Sequence, residues 1–208
     1  MKKEKLIIAS NNEGKVKEIR NLFSGLGFEV LSMKEAGWNV RIEENQPDFA
    51  GNSFKKASEI SKITGEIALA DDSGLEVEAL GGKPGVYSAR FAGENATDRQ
   101  NNEKLLSLLE QVPENKRKAR FRCVITLYYP NGRYLQTEGI CPGRIGFAPS
   151  GNGGFGYDPL FLLDGYNKTM AELTLEEKNE VSHRAFALKA MIGLLQANGN
   201  VREHSGTH

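Results

Sequence analysis

The stretch Lys5-Leu6-Ile7-Ile8-Ala9-Ser10-Asn11-Asn12-Glu13-Gly14-Lys15 runs from an unbroken apolar segment into polar residues that open a helix. Lys5 to Ser10 reads as a strand, and Val16, Ile19, Leu22, Phe23 and Leu26 then recur at helical spacing. Gly25 and Gly27 stop that helix, and Phe28 to Leu31 resumes an extended pattern. A second helix is expected over Phe49 to Thr64, with Phe49, Ala57 and Ile60 inward and Lys55, Glu59 and Lys62 outward. Ile67 to Ala70 is a short buried strand that runs directly into Asp71-Asp72-Ser73-Gly74.

Further along, Thr97 to Val112 reads as a helix. Thr97 and Gln100 have capping-box spacing, and Leu105, Leu108, Leu109 and Val112 form one stripe. In the strand that follows, Ala119, Phe121, Cys123, Ile125 and Leu127 alternate with Lys118, Arg120, Arg122, Val124 and Thr126. Asn131-Gly132 signals a hairpin that returns through Tyr134 to Ile140. Pro142 to Pro159 is too rich in glycine and proline for regular structure, and Ala185, Leu188, Met191, Ile192 and Leu195 mark a last helix. Early alternation of strand and helix, with a long hairpin in the middle, predicts an α/β protein with a mixed sheet in two lobes. Residues 1–195 are expected to form the domain, and residues 196–208, polar and without periodicity, a flexible tail.

Bulk properties narrow the class. The chain has 208 residues, 39% hydrophobic and 26% charged, as in an ordinary globular protein. Lys plus Arg equals Asp plus Glu at 27 each, so a general nucleic-acid binder, with its basic surplus, is disfavoured. The basic run Lys116 to Arg122 alternates with apolar residues and reads as a solvated strand face. No apolar run is long enough to span a bilayer, and no secretory signal opens the chain, so a cytoplasmic location is expected. Cys123 and Cys141 are expected to stay reduced.

Five segments carry candidate chemistry. Ser10-Asn11-Asn12-Glu13-Gly14-Lys15 follows a strand and opens a helix, where free N–H groups and Lys15 suit a phosphate; Asn and Ser are equally ordinary helix caps. Glu43-Glu44, with Asn52 and Lys56 one helical turn apart, are either site residues or solvated charges. Asp71-Asp72 place two carboxylates after a buried strand, a repulsion that a divalent cation relieves; an aspartate-rich turn is the plain alternative. Gly151-Asn152-Gly153-Gly154-Phe155-Gly156-Tyr157-Asp158-Pro159 spells a dinucleotide fingerprint in the wrong context. Its glycines instead allow close approach to a ligand, with Phe155 as a stacking platform or a mere loop anchor. Lys178 and Ser182-His183-Arg184 offer donors suited to oxygen on a purine edge.

SNNEGK, the EEN region with FAGNSFKKA downstream, ADDSGLEVEALGGKPGVYSARFAG, GGFGYDP and SHRA stand in one order along the chain. Together they resemble the inosine triphosphate pyrophosphatases, also called XTP/dITP pyrophosphatases, from Leu6 to about Leu195. The resemblance implies an elongated α/β fold, a mixed sheet flanked by helices, two lobes with a central substrate cleft, and a homodimer. It implies magnesium-dependent cleavage of inosine, deoxyinosine and xanthosine triphosphates between the α and β phosphates. By motif, Ser10, Asn11, Asn12, Glu13, Gly14 and Lys15 would hold the triphosphate. Asp72 would bind Mg2+ and accept the proton of water, with Glu44 as a further metal ligand and Glu43 as the alternative. Ser73 and Lys56 would contact phosphate or ribose, and Phe155, Gly156, Tyr157, Asp158, Lys178, His183 and Arg184 would surround the nucleotide.

Overall fold

Asn12 sets the first helix: its side chain accepts the Lys15 N–H at 3.0 Å, satisfying one of the donors that a helix start leaves open. The structure is a computed structural model that describes residues 3–204. Its strands and α-helices run β1 (Glu4–Ile8), α1 (Glu13–Phe23), β2 (Phe28–Ser32), α2 (Phe49–Thr64), β3 (Ile67–Val77), α3 (Asp98–Leu108), β4 (Lys118–Tyr128), β5 (Tyr134–Ile145), β6 (Phe161–Leu163), α4 (Leu175–Val181) and α5 (His183–His204). The sheet order is β2-β1-β3-β4-β5-β6. β1 is parallel to β2 and to β3, with Leu6 opposite Val30 and Ile67, whereas β5 and β6 are antiparallel. The sheet is therefore mixed and flanked by helices, as the alternation of elements predicts.

The described chain forms two compact units. The first holds residues up to Asp72, Val124–Glu138 and the chain from Ala185 onward; the second holds Ser73–Cys123 and Gly139–Arg184. In the first, Ile7, Ala57, Ile60, Ala68 and Ala70 pack into one core. In the second, Leu75, Leu105, Leu109, Phe121, Tyr157 and Phe161 do so. Each large side chain taken out of water there contributes about 1.5–3 kcal/mol, which outweighs the weak local propensities of the short elements.

Several elements differ from the sequence reading. β3 does not stop at Ala70 but continues through Asp71-Asp72-Ser73-Gly74 to Val77, which removes the aspartate-turn alternative. β5 passes Ile140 and Pro142 to Ile145, so the glycine- and proline-rich stretch begins as strand. Gly143 there faces the Leu162 carbonyl, and a Cβ would also lie 2.6 Å from Phe161 Cζ, so this crossing admits no side chain. Leu108 is 49% exposed and leaves the α3 stripe to Leu105 and Leu109. Val124 and Thr126 are buried, because both faces of β4 are covered beyond Cys123. Among the last candidates, Lys178 lies on α4, whereas His183 and Arg184 open α5. α5 itself runs past Leu195 to His204, which takes in part of the expected tail; residues 205–208 lie outside the described residues.

Candidate active site

In the first unit, the loop after β1 and the start of α1 bring Ser10 to Lys15 together. Ser10 Oγ accepts the Asn12 N–H at 3.2 Å, so Ser10 and Asn12 both spend side-chain oxygens on shaping the turn. Glu13 is exposed in the first helical turn, where its charge suits the helix dipole and not an anion. Lys15 reaches across to Asp71, with Nζ to Oδ2 at 3.0 Å.

Around Asp72 the charges are denser. α2 buries Lys56 (8% exposed), whose ammonium bonds Glu44 Oε1, donates to the Asp71 carbonyl at 2.7 Å and lies 3.7 Å from Asp72 Oδ1. Asp71 and Asp72 are 1% and 5% exposed. Asn52 accepts the Gln46 N–H through Oδ1 at 2.9 Å, and its side chain also favours the ionised form of Asp72. Glu43, by contrast, is exposed, and its carboxylate accepts from Asn45 at 3.2 Å. Of the two adjacent glutamates, Glu44 is the one that joins the cluster, through its ion pair with Lys56.

The protonation states follow from burial and charge. Burial pushes the Asp72 carboxyl up to about 6; Lys56 opposes this, and Glu44 adds to it. Burial acts the same way on Glu44, but the direct contact with Lys56 outweighs it and leaves that carboxyl below its usual value. Burial alone would lower the pKa of Lys56, yet Asp72, Glu44 and Asp71 together raise it above that of an ordinary lysine. The result is a buried ammonium shared among carboxylates, one of which takes up a proton near neutrality.

In the second unit, Phe155 is half-buried between two cations. Lys178 Nζ lies 5.0 Å from the ring centroid and Arg184 Cζ lies 5.4 Å from it. Asp158 accepts the Phe155 N–H at 3.0 Å and the Lys178 ammonium at 2.9 Å, which ties the loop to α4. Gly154 sits against that carboxylate with φ +73°, a conformation and a closeness that exclude a side chain. Arg184 is 1% exposed and donates to Ser73 Oγ at 3.0 Å. His183 stacks on Phe121 with centroids 4.7 Å apart. Tyr157 is different: its ring lies in the core, and its hydroxyl donates to the Ser88 carbonyl at 2.8 Å. The tyrosine side chain is thus structural, and only its backbone is available to a ligand.

Lys15 and Asp71 lie 56 positions apart, and their meeting depends on β1 lying beside β3, which no local pattern announces. A groove of about 1100 Å³, lined by Glu76, Glu78, Arg120 and Arg144, includes none of the predicted site residues.

Among the described residues no three His, Cys, Asp or Glu side chains form a ready cage for a metal. The donor set still fits one hard cation. Glu44 and Asp72 are oxygen donors already gathered around a positive charge, and magnesium needs only one or two carboxylates when phosphates and waters complete its shell.

The mixed α/β sheet thus carries an acidic–cationic cluster in the first unit and an aromatic–cationic cluster in the second. The chain belongs to the Ham1 family, whose model matches residues 6–194. It is 54% identical to the dITP/XTP pyrophosphatase of Desulforamulus reducens, over 92% of this chain and 95% of that one. With the dITP/XTP pyrophosphatase of Bacillus subtilis it shares 46% identity over 92% and 96% of the two chains. Among solved structures, the Staphylococcus aureus Ham1 protein superposes with a TM-score of 0.83 at 38% identity, covering 94% of this chain and 100% of that one.

Proposed function

We propose that this chain hydrolyses non-standard purine nucleoside triphosphates, those of inosine, deoxyinosine and xanthosine, to the monophosphate and pyrophosphate, and so clears them from the nucleotide pool. The observation that carries the reading is the buried ammonium of Lys56 shared by Glu44 and Asp72 in a chain about half identical to dITP/XTP pyrophosphatases. Hydrolysis of a phosphoanhydride needs charge neutralisation and an aligned water, and no covalent nucleophile. Lys15, Lys56 and the N–H groups at the start of α1 supply fixed positive charge for phosphate oxygens. Mg2+, held by Glu44 and Asp72, would neutralise triphosphate charge and favour the ionised form of the attacking water. Asp72, buried and 3.7 Å from the Lys56 ammonium, is the carboxylate in this cluster suited to take the proton of water.

Phe155 offers its face to the purine, and Lys178, His183 and Arg184 offer donors for its 6-oxo oxygen. Adenine presents a 6-amino donor there, which would leave those donors opposed. Ser73, held by Arg184, is assigned to the sugar or phosphate. A homodimer in the cytoplasm, with no nucleic-acid or membrane partner, completes the reading. The test is kcat/KM for dITP, XTP, ATP and GTP with Mg2+. The reading expects the first two to be preferred by several orders of magnitude, and equal values for all four would overturn it.

A further inference from the structure

The ring of Phe155 is flanked by Lys178 and Arg184, but its backbone is held from elsewhere. Its own N–H goes to Asp158. The next residue, Gly156, is gripped at both polar groups by α3. Its N–H donates to Asp98 Oδ2 at 2.7 Å, and its carbonyl accepts from Asn102 Nδ2 at 3.0 Å. Asp98 and Asn102 lie four residues apart on the helix, so both reach the same loop.

Neither side chain is needed to form α3. Thr97 and Gln100 already close its start with a reciprocal capping box. Asn102 is buried, and its Oδ1 accepts from no group among the described residues. Half of its hydrogen-bonding capacity is therefore forgone, and the bond to Gly156 is what fixes its amide. The grip also rests on firm ground, since Leu105 and Leu109 of the same segment are wholly buried in the core of this unit. On the other side, Tyr157 is pinned through its hydroxyl to Ser88. Gly156 has φ +61°, a conformation glycine enters and leaves easily, so without these anchors the loop would swing about this residue.

We propose that Asp98 and Asn102 are positioning residues that set the orientation of the Phe155 platform by clamping the Gly156 backbone. The proposal rests on the assignment of Phe155 as the face that stacks on the purine. Its consequence is specific: the clamp contributes binding of the base, not chemistry at phosphorus. Removing it takes away interaction present equally in ground and transition states, which raises KM and leaves kcat alone.

Two measurements test it. The first needs no substrate: amide hydrogen exchange over residues 154–157 should accelerate at least about tenfold in Asp98→Ala, while α5 and β1 stay unchanged. Unchanged exchange in that loop would overturn the clamp. The second is a double-mutant cycle on dITP hydrolysis. Asp98→Ala is expected to raise KM about fivefold, with kcat within a factor of about two. Asp98→Asn keeps an acceptor oxygen and should restore most of that loss. In a Phe155→Ala background the same Asp98→Ala change should have no further effect, because the platform it orients is gone. An additive effect, or a fall in kcat with KM unmoved, would overturn the proposal. Failure of the wild-type chain to cleave dITP would instead remove the assigned activity and leave the exchange measurement to decide the clamp.

Discussion

Replacing Asp72 by Asn should make the protein more stable and nearly inactive. The carboxyl is 5% exposed, and burial raises its pKa from 3.8 to about 6. A shift of about two units at 1.36 kcal/mol each means that the ionised group destabilises the fold by on the order of 3 kcal/mol. The sign follows from proton uptake. Between pH 3.8 and 6 the folded chain binds a proton that the unfolded chain has released, so this penalty grows as pH rises and is complete above about 6. Asparagine carries no charge and avoids it. Asp72→Asn should therefore melt roughly 6–12 °C above the wild type at pH 7.5 without divalent cation, at about 2–4 °C per kcal/mol for this size. At pH 5 the advantage should shrink to about half. Meanwhile kcat should fall on the order of a hundredfold or more, since a base and a ligand charge disappear together. The assay is thermal melting with a chelator at both pH values, beside dITP turnover with Mg2+. A variant that melts below the wild type at pH 7.5, or above it by an equal margin at both pH values, would rule out a burial penalty on the Asp72 charge.

Glu44→Gln should weaken activity, with partial rescue by added Mg2+, whereas Glu43→Gln should leave it within about twofold, because Glu43 is exposed and bonded to Asn45. A magnesium titration of both variants checks this, and the reverse pattern would move the ligand to Glu43. Arg184→Ala should lower kcat/KM for inosine triphosphate far more than for ATP, while Phe155→Ala should weaken both in parallel, since stacking tolerates any purine. An unchanged ratio in Arg184→Ala would mean that the base is read by other groups. Tyr157→Phe should cost about 1 kcal/mol in melting, through the bond to Ser88, with kcat/KM within about twofold. A large loss of turnover would place that hydroxyl on the substrate.

Local signals recovered α2 in full and the start of α3, because both are written into neighbouring residues. Asp48 and Gly65 bracket α2, and Thr97 with Gln100 caps α3. Strand ends were less legible. β3 continues through two aspartates because Lys15 and Lys56 meet their charge, and nothing within the segment announces that. β5 needs Gly143 for a reason that lies in β6, where Phe161 and the Leu162 carbonyl press close. The site showed the same division. Residue types suited to phosphate, metal and purine could be picked out along the chain, yet their pairings could not. That Glu44 and not Glu43 bonds Lys56, that Tyr157 turns into the core, and that His183 stacks on Phe121 are all consequences of tertiary packing.

The bond that is broken identifies the activity most directly. Purified protein incubated with dITP and Mg2+ should release pyrophosphate and deoxyinosine monophosphate in equal amounts, with orthophosphate at background. Deoxyinosine diphosphate accumulating with orthophosphate as the main products would contradict the account.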